Sequence, residues 1–196
     1  MTLSLLLGVV AVAGAADPPK APPAMTPDQQ KMMDDMTKAM MPGEHHKRLD
    51  SMAGRWSTHV KLWLAPNSPA METSGSMEAK WIMGGRYLVS HHTGNMMGMP
   101  FEGQSVDGYD NLSKKYVSSW IDNMGTGILN LSGDCDADCK VLTETGEMID
   151  PSSGNRIMYK SVITFVDANT YKYEAYSVDA AGTATKSMEL VGTRKH

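Results

Sequence analysis

From residue 56 onward the sequence alternates apolar and polar residues with a period of two. In the first such stretch Trp56, Val60 and Leu62 fall on one phase, whereas Ser57 and Lys61 fall on the other. Side chains of a β-strand point alternately to its two faces, so a segment of this kind buries one face and exposes the other, as in antiparallel sheets. No helical periodicity follows residue 55, and the sequence therefore predicts a mainly β protein.

Turn-forming residues divide this part of the chain into about ten predicted strands. The turns are at residues 65–67, 84–85, 110–111, 136–138, 151–154, 167–169 and 181–182. Closing a sheet into a barrel removes its exposed edges, and the predicted strands follow one another without long crossovers. We therefore predict an antiparallel β-barrel of about ten strands over residues 43–196, with a β-sandwich as the alternative.

Helical signals precede the predicted barrel. Thr26 and Gln29 form a capping box around Pro27, and methionines then recur at three- and four-residue steps. This pattern predicts a Met-rich amphipathic helix over residues 26–42, which we expect to cover the open end of the barrel. A second short helix is predicted over residues 44–52.

The first fifteen residues have the pattern of a secretory signal peptide. An apolar run at residues 3–12 is too short to span the roughly 30 Å core of a bilayer as a helix, and Ala13-Gly14-Ala15 follows it. Residues 16–25 are proline-rich and predict an extended tether. The chain is thus expected to be periplasmic or secreted, without a stable membrane span.

Cysteine content and charge narrow the possibilities further. Cys135 and Cys139 are the only cysteines, and an oxidising compartment predicts a disulfide between them, with a reactive dithiol as the alternative. The formal net charge of −4 excludes a typical nucleic-acid binder, whose affinity depends on basic residues. The oligomeric state is left open.

The segment Gly54-Arg55-Trp56, directly after a predicted short helix, resembles the Gly-x-Trp motif that opens the first strand of calycin-type barrels. This group includes lipocalins, fatty-acid-binding proteins and nitrobindins, which commonly carry an arginine near the end of the last strand. Arg194 lies at the matching place. The resemblance implies a calycin-like barrel closed at one end by Arg194 stacked on Trp56.

Further segments resemble a bacterial family of unknown function that we place in the calycin group. They are MMGMPFEG at residues 96–103, GYDN at residues 108–111 and WIDNMGTG at residues 120–127. The resemblance covers residues 44–196. It implies the calycin-like fold and no particular chemistry.

Binding of a small hydrophobic molecule follows most directly from the predicted shape, because a barrel of this size has room for one ligand. The chain has 18 methionines and two phenylalanines, and methionine suits a pocket that adapts its shape. The expected ligand-binding residues are Met77, Trp81, Met96, Met97, Met99, Phe101, Tyr109 and Trp120. A barrel filled by its own side chains is the alternative. No cofactor is expected, since the terminal His196 is a poor haem ligand.

Soft-metal binding is a second interpretation, because imidazole and thioether ligands favour Cu(I). Its residues would be His91, His92, Met96, Met97 and Met99. Neighbouring strand residues point to opposite faces, so His91 and His92 are not expected to share one site. In the competing interpretation the methionines fill the core and the histidine pairs are exposed.

An enzyme is the third interpretation, and the sequence favours it less. The nucleophile elbow Gly-x-Ser-x-Gly, the phosphate-binding loop and the dinucleotide fingerprint are all missing. A carboxylate pair could come from among Glu102, Asp107, Asp110 and Asp122, of which Asp122 is the first to test. Asp110 with Asn111 is more typical of a hairpin turn.

Overall fold

The computed structural model describes residues 24–150, 153–179 and 181–196. The predicted signal peptide over residues 1–15 and most of the predicted tether over residues 16–25 lie outside the described residues. The chain divides into a unit that ends at Met36 and a unit Thr37–His196, which contains the barrel. Among the helices that the structure describes, none is both long and apolar enough to cross a membrane.

Three helical segments precede the first strand: α1 (Pro27–Met40), α2 (Glu44–Lys47) and a 3-10 helix (Arg48–Met52). The predicted capping box is present at the start of α1. The Gln29 N–H donates to Thr26 Oγ1 at 3.3 Å, and the Thr26 N–H donates to Gln29 Oε1 at 2.9 Å. The methionines of α1 are exposed, namely Met32, Met33, Met36 and Met40.

Ten antiparallel strands form a closed barrel in which each strand pairs with the next and β1 pairs with β10. They are β1 (Gly54–Leu62), β2 (Met71–Ile82), β3 (Tyr87–Met96), β4 (Met99–Asp110), β5 (Lys115–Asp122), β6 (Leu129–Cys135), β7 (Val141–Ile149), β8 (Arg156–Asp167), β9 (Thr170–Val178) and β10 (Ala184–Arg194). The prediction of a ten-stranded antiparallel barrel is confirmed. The β-sandwich alternative is wrong.

One end of the barrel, where β1 begins and β10 ends, is closed by the helical segment 44–52. Leu49 and Met52 belong to the same buried cluster as Trp56, and the Trp56 indole N–H donates to the Met52 carbonyl at 2.9 Å. We call this the closed end, and the opposite one the far end. The main hydrophobic core lies at the closed end, and Leu88 and Met77 belong to the same cluster.

Arg194 joins the closed end to the last strand. Its guanidinium carbon lies 4.2 Å from the centre of the Trp56 ring, so the stack implied by the resemblance is present. Its two Nη atoms donate to the carbonyls of Ala53 and Ser51, each at 2.7 Å. Arg194 therefore provides hydrogen-bond donors for carbonyls that would otherwise be left without partners at the end of the helical segment.

The last residues of α1, together with Met41, are also anchored at the closed end. Arg86, between β2 and β3, donates from Nε to the Met40 carbonyl at 3.1 Å, and Asn111, between β4 and β5, donates to the carbonyls of Ala39 and Met41 at 2.9 Å. These contacts lie at the closed end, whereas the sequence led us to expect the Met-rich helix over the open end.

The predicted disulfide between Cys135 and Cys139 is confirmed, and neither cysteine is free. It closes the turn between β6 and β7, and the two Cα atoms lie 4.9 Å apart. Tyr116 places its hydroxyl oxygen 3.5 Å from Cys139 Sγ, so the bridge packs locally against the closed end.

Candidate functional site

The inner face of the barrel carries polar side chains at mid-height, where the alternation would lead one to expect apolar ones. We call this set the inner polar ring. It comprises Ser90 on β3, Ser105 and Asp107 on β4, Ser118 on β5, Glu144 on β7 and Ser161 on β8. Strand register joins its members in pairs: Ser90 opposite Ser105, Asp107 opposite Ser118, and Glu144 opposite Ser161.

Two carboxyl groups dominate this ring. Asp107 Oδ2 accepts a hydrogen bond from Ser105 Oγ at 2.6 Å, and Glu144 Oε2 accepts one from Ser118 Oγ at 3.3 Å. Since Ser118 is also the cross-strand partner of Asp107, it lies between the two carboxyls.

Burial disfavours the charged forms of both carboxyls. It raises the pKa of Asp107 to about 6, against the opposing hydrogen bond from Ser105. Burial and, to a lesser degree, the charge of Asp107 raise the pKa of Glu144 to about 7. At neutral pH the ring thus holds a carboxylate beside a carboxyl group that is near half-ionised.

No cation of the described residues offsets these charges: neither Asp107 nor Glu144 forms an ion pair, and no lysine or arginine lowers either pKa. On the outer face, by contrast, partly buried carboxylates are paired with lysines. There Glu174 and Glu189 form ion pairs with Lys172 and Lys186, and these lysines lower the pKa of both glutamates, although burial opposes the effect.

Two serine hydroxyls of the ring are left without partners. Ser90 Oγ and Ser161 Oγ make no hydrogen bond within the part of the chain that the structure describes, and each residue is only 1% exposed. A buried hydroxyl without a hydrogen bond costs free energy, and native proteins usually satisfy it with water or a ligand. Ser161 lies opposite Glu144, and Ser90 lies opposite the serine that donates to Asp107.

Several side chains of the inner face are not fully buried. Asp107, Ser118, Trp120 and Tyr173 face inward according to the register, yet each keeps accessible surface. At the closed end, by contrast, Trp56, Met77 and Leu88 have almost none. The inner face above the closed end is therefore less completely packed than the closed end itself.

Aromatic side chains line the interior from the ring toward the far end. Trp120 stacks near Phe101, with 6.4 Å between the ring centres, and meets the edge of His92 at 5.1 Å. Its indole N–H donates to Asp122 Oδ2 at 2.7 Å, which fixes the ring plane. Gly103 makes this position possible, because a Cβ there would lie 2.5 Å from the Trp120 ring.

Other polar groups of the interior include an imidazole and two phenols. Burial lowers the pKa of His92 to about 4, with a smaller contribution from His91, so this imidazole is uncharged at neutral pH. Tyr159 and Tyr173 share a hydrogen bond of 2.9 Å between their hydroxyls. Burial also raises the pKa of the Tyr173 phenol.

The predicted ligand-binding residues separate into three groups. Phe101, Trp120 and Met96 lie on inner-face positions with accessible surface. Three others pack at or near the closed end: Met77 accepts a hydrogen bond from the Tyr171 hydroxyl, Trp81 donates to Asp50, and Tyr109 stacks on His45. Met97 and Met99 lie at the turn between β3 and β4, where they are 52% and 48% exposed.

His91 and His92 lie on opposite faces of β3, as expected for neighbouring strand residues. His91 is exposed opposite Glu78, whereas His92 faces the interior opposite Met77, so the two do not converge. His46 is buried, and its Nδ1 accepts from the Gly43 N–H at 3.1 Å. The interpretation of both histidine pairs as exposed is therefore wrong. In the described ranges, no three His, Cys, Asp or Glu side chains come together as a metal site would require.

Sequence reasoning considered Asp107 only as one of several carboxylates and missed Glu144. A signal was present: Glu144 shares the buried phase of β7 with Leu142, as the structure shows. Asp122, the first candidate for catalysis, accepts from the Trp120 indole and the Met124 N–H and thereby holds the loop after β5.

Two shallow grooves lie on the outside of the barrel unit. One of about 280 Å³ is lined by residues that include Pro42, His46 and Trp81 at the closed end. Another of about 290 Å³ crosses the outer face of β4 and β5 beside Ile121 and Ile128. Neither contains a buried charged group without a partner, so the interior is the stronger candidate site.

Fold and site together define a small closed antiparallel barrel with a partly polar, partly aromatic interior. The family model described as a protein of unknown function, DUF1579, matches residues 41–194, and the chain belongs to this family. No curated protein matches the sequence.

Solved structures match this chain at low sequence identity. The crystal structure of Rv2717c from M. tuberculosis is 10% identical, with a TM-score of 0.56, and the match covers 80% of this chain and 100% of that one. A redesigned β-barrel, b11L5F_LGL, is 13% identical with a TM-score of 0.39, covering 76% of this chain and 96% of that one. The first of these likenesses supports the fold alone.

Proposed function

We propose that this protein is an exported, calycin-like barrel that binds one small, largely apolar organic molecule without converting it. The observation that carries the proposal is the inner face above the closed end. There aromatic and polar side chains keep accessible surface, while Ser90 and Ser161 bury hydroxyls that no described residue satisfies.

A ligand would enter from the far end, because the closed end is packed by the segment 44–52 and by Arg194. Phe101 and Trp120 would contact its apolar part, and the inner polar ring would meet any polar group that it carries. Such a combination of apolar walls and a few convergent polar groups is typical of small-molecule sites. Export agrees with the sequence of residues 1–15 and with the disulfide.

The test is a titration of the full chain with N-phenyl-1-naphthylamine, an uncharged dye that fluoresces in apolar surroundings. We expect one dye per chain. The variant Ser118→Phe places a ring at an inner-face position that keeps accessible surface and should weaken binding by at least about tenfold, because it fills the space that the dye needs.

The matched control is Ser57→Phe, which adds the same ring on the exposed outer face of β1. Its affinity should equal that of the unaltered chain. Absence of dye binding, or equal affinity in both variants with circular dichroism unchanged, would refute a binding site inside the barrel.

A further inference from the structure

The inner polar ring has a chemical character that restricts what the barrel binds. Asp107 and Glu144 place two carboxyls on one part of the inner wall, on either side of Ser118, which donates to Glu144. No lysine or arginine side chain of the described residues pairs with them. Two buried carboxyls without a counter-ion are costly, and such groups are normally paired or satisfied by a bound partner.

The unpartnered hydroxyls surround the same place. Ser161 lies opposite Glu144, and Ser90 lies opposite Ser105, the donor to Asp107. Each hydroxyl is buried and can accept a hydrogen bond as well as donate one. The ring therefore offers several acceptor oxygens, including those of two carboxyl groups, to a group that donates.

Resting on the proposed function, we propose that the ligand of this barrel is a hydrophobic amine whose ammonium group binds at Asp107 and Glu144. An ammonium has three donors and no acceptor, which matches the carboxylates and the serine oxygens of the ring. An anionic head group would meet like charges, and a neutral one would leave the carboxyls without a counter-ion.

The surroundings of the ring suit the rest of such a molecule. Trp120 and Phe101 lie toward the far end, and a cation near an aromatic face gains further attraction. The imidazole of His92 beside Trp120 is neutral and does not repel a cation.

The experiment compares three probes that share one carbon skeleton and differ in charge: 4-phenylbutylamine, 4-phenylbutan-1-ol and 4-phenylbutanoate. Calorimetric titrations of the full chain at pH 8 should show the amine binding about tenfold tighter than the alcohol, with the carboxylate weakest. Glu144→Gln and Asp107→Asn should each remove most of this preference while the affinity for the alcohol changes little.

Glu102→Gln serves as the control, since Glu102 lies exposed on the same strand as Asp107. Its preference for the amine should be unaltered. Equal affinities for amine and alcohol, or binding of N-phenyl-1-naphthylamine without any binding of the amine, would overturn the inference and leave small-molecule binding in place. If neither the dye nor any of the three probes binds, both proposals fail.

Discussion

Replacing the buried Glu144 with glutamine should make the barrel more stable at alkaline pH. Burial raises the pKa of this carboxyl from 4.5 to about 7 in the folded chain. At about 1.36 kcal/mol per pKa unit, ionisation of Glu144 costs the folded state about 3 kcal/mol. This cost is absent below pH 4.5, where the carboxyl is protonated in both states, and it grows as pH rises until it is complete above about pH 7.

Urea unfolding followed by tryptophan fluorescence measures the effect at pH 4 and pH 8.5. We expect Glu144→Gln and the unaltered chain to have similar unfolding free energies at pH 4. At pH 8.5 the variant should be more stable by about 3 kcal/mol. The exposed Glu102 provides the control, since Glu102→Gln should match the unaltered chain at both values. A Glu144→Gln variant that gains nothing at pH 8.5, or gains equally at pH 4, would refute the burial of an unpaired carboxyl.

Other features of the barrel give further expectations for stability. Arg194→Leu should lower the unfolding free energy by about 3 kcal/mol, because it removes charged hydrogen bonds and the stack at the closed end. Arg156→Gln removes an exposed ion pair and should lower the unfolding free energy by less than about 1 kcal/mol. If urea unfolding shows equal losses for the Arg194 and Arg156 variants, Arg194 does not have the proposed role in closing the barrel. Gly103→Ala should displace Trp120 and lower the unfolding free energy by about 1–3 kcal/mol, whereas Gly127→Ala should leave it unchanged. Unchanged thermal midpoints for both variants would disprove the close packing of Gly103 against Trp120. Reducing the disulfide should lower the unfolding free energy by only about 2 kcal/mol, since the disulfide closes a short loop. Complete unfolding on reduction would contradict this expectation.

The barrel itself could be predicted because its signal is local and repeated. Alternation along segments such as β1 requires one buried face, and short turns force neighbouring strands to pair antiparallel. Trp56 and Arg194 are far apart in sequence, and only the resemblance to calycin-type barrels placed them together. Helix α1 was predictable from its capping box, although the place where its last residues are anchored was not.

The site was harder to predict, because alternation identifies the face on which a residue lies and not its height along the barrel. Met77 and Trp120 are both on the inner face, yet Met77 is packed at the closed end, whereas Trp120 keeps accessible surface. Met97 was misplaced because it lies in a tight turn with a positive φ of 53°. Glu144 was missed because a charged residue in a strand is normally assigned to the exposed face.

The central claim, that a small molecule binds inside the barrel, is tested most directly by a crystal structure of the full chain with 2-(4-bromophenyl)ethanol. This neutral ligand carries a bromine whose anomalous signal marks its position without reference to the amine inference. We predict a bromine peak inside the barrel between Trp120 and the inner polar ring. Peaks found only in the grooves beside Trp81 or Ile121 on the outer surface would contradict it.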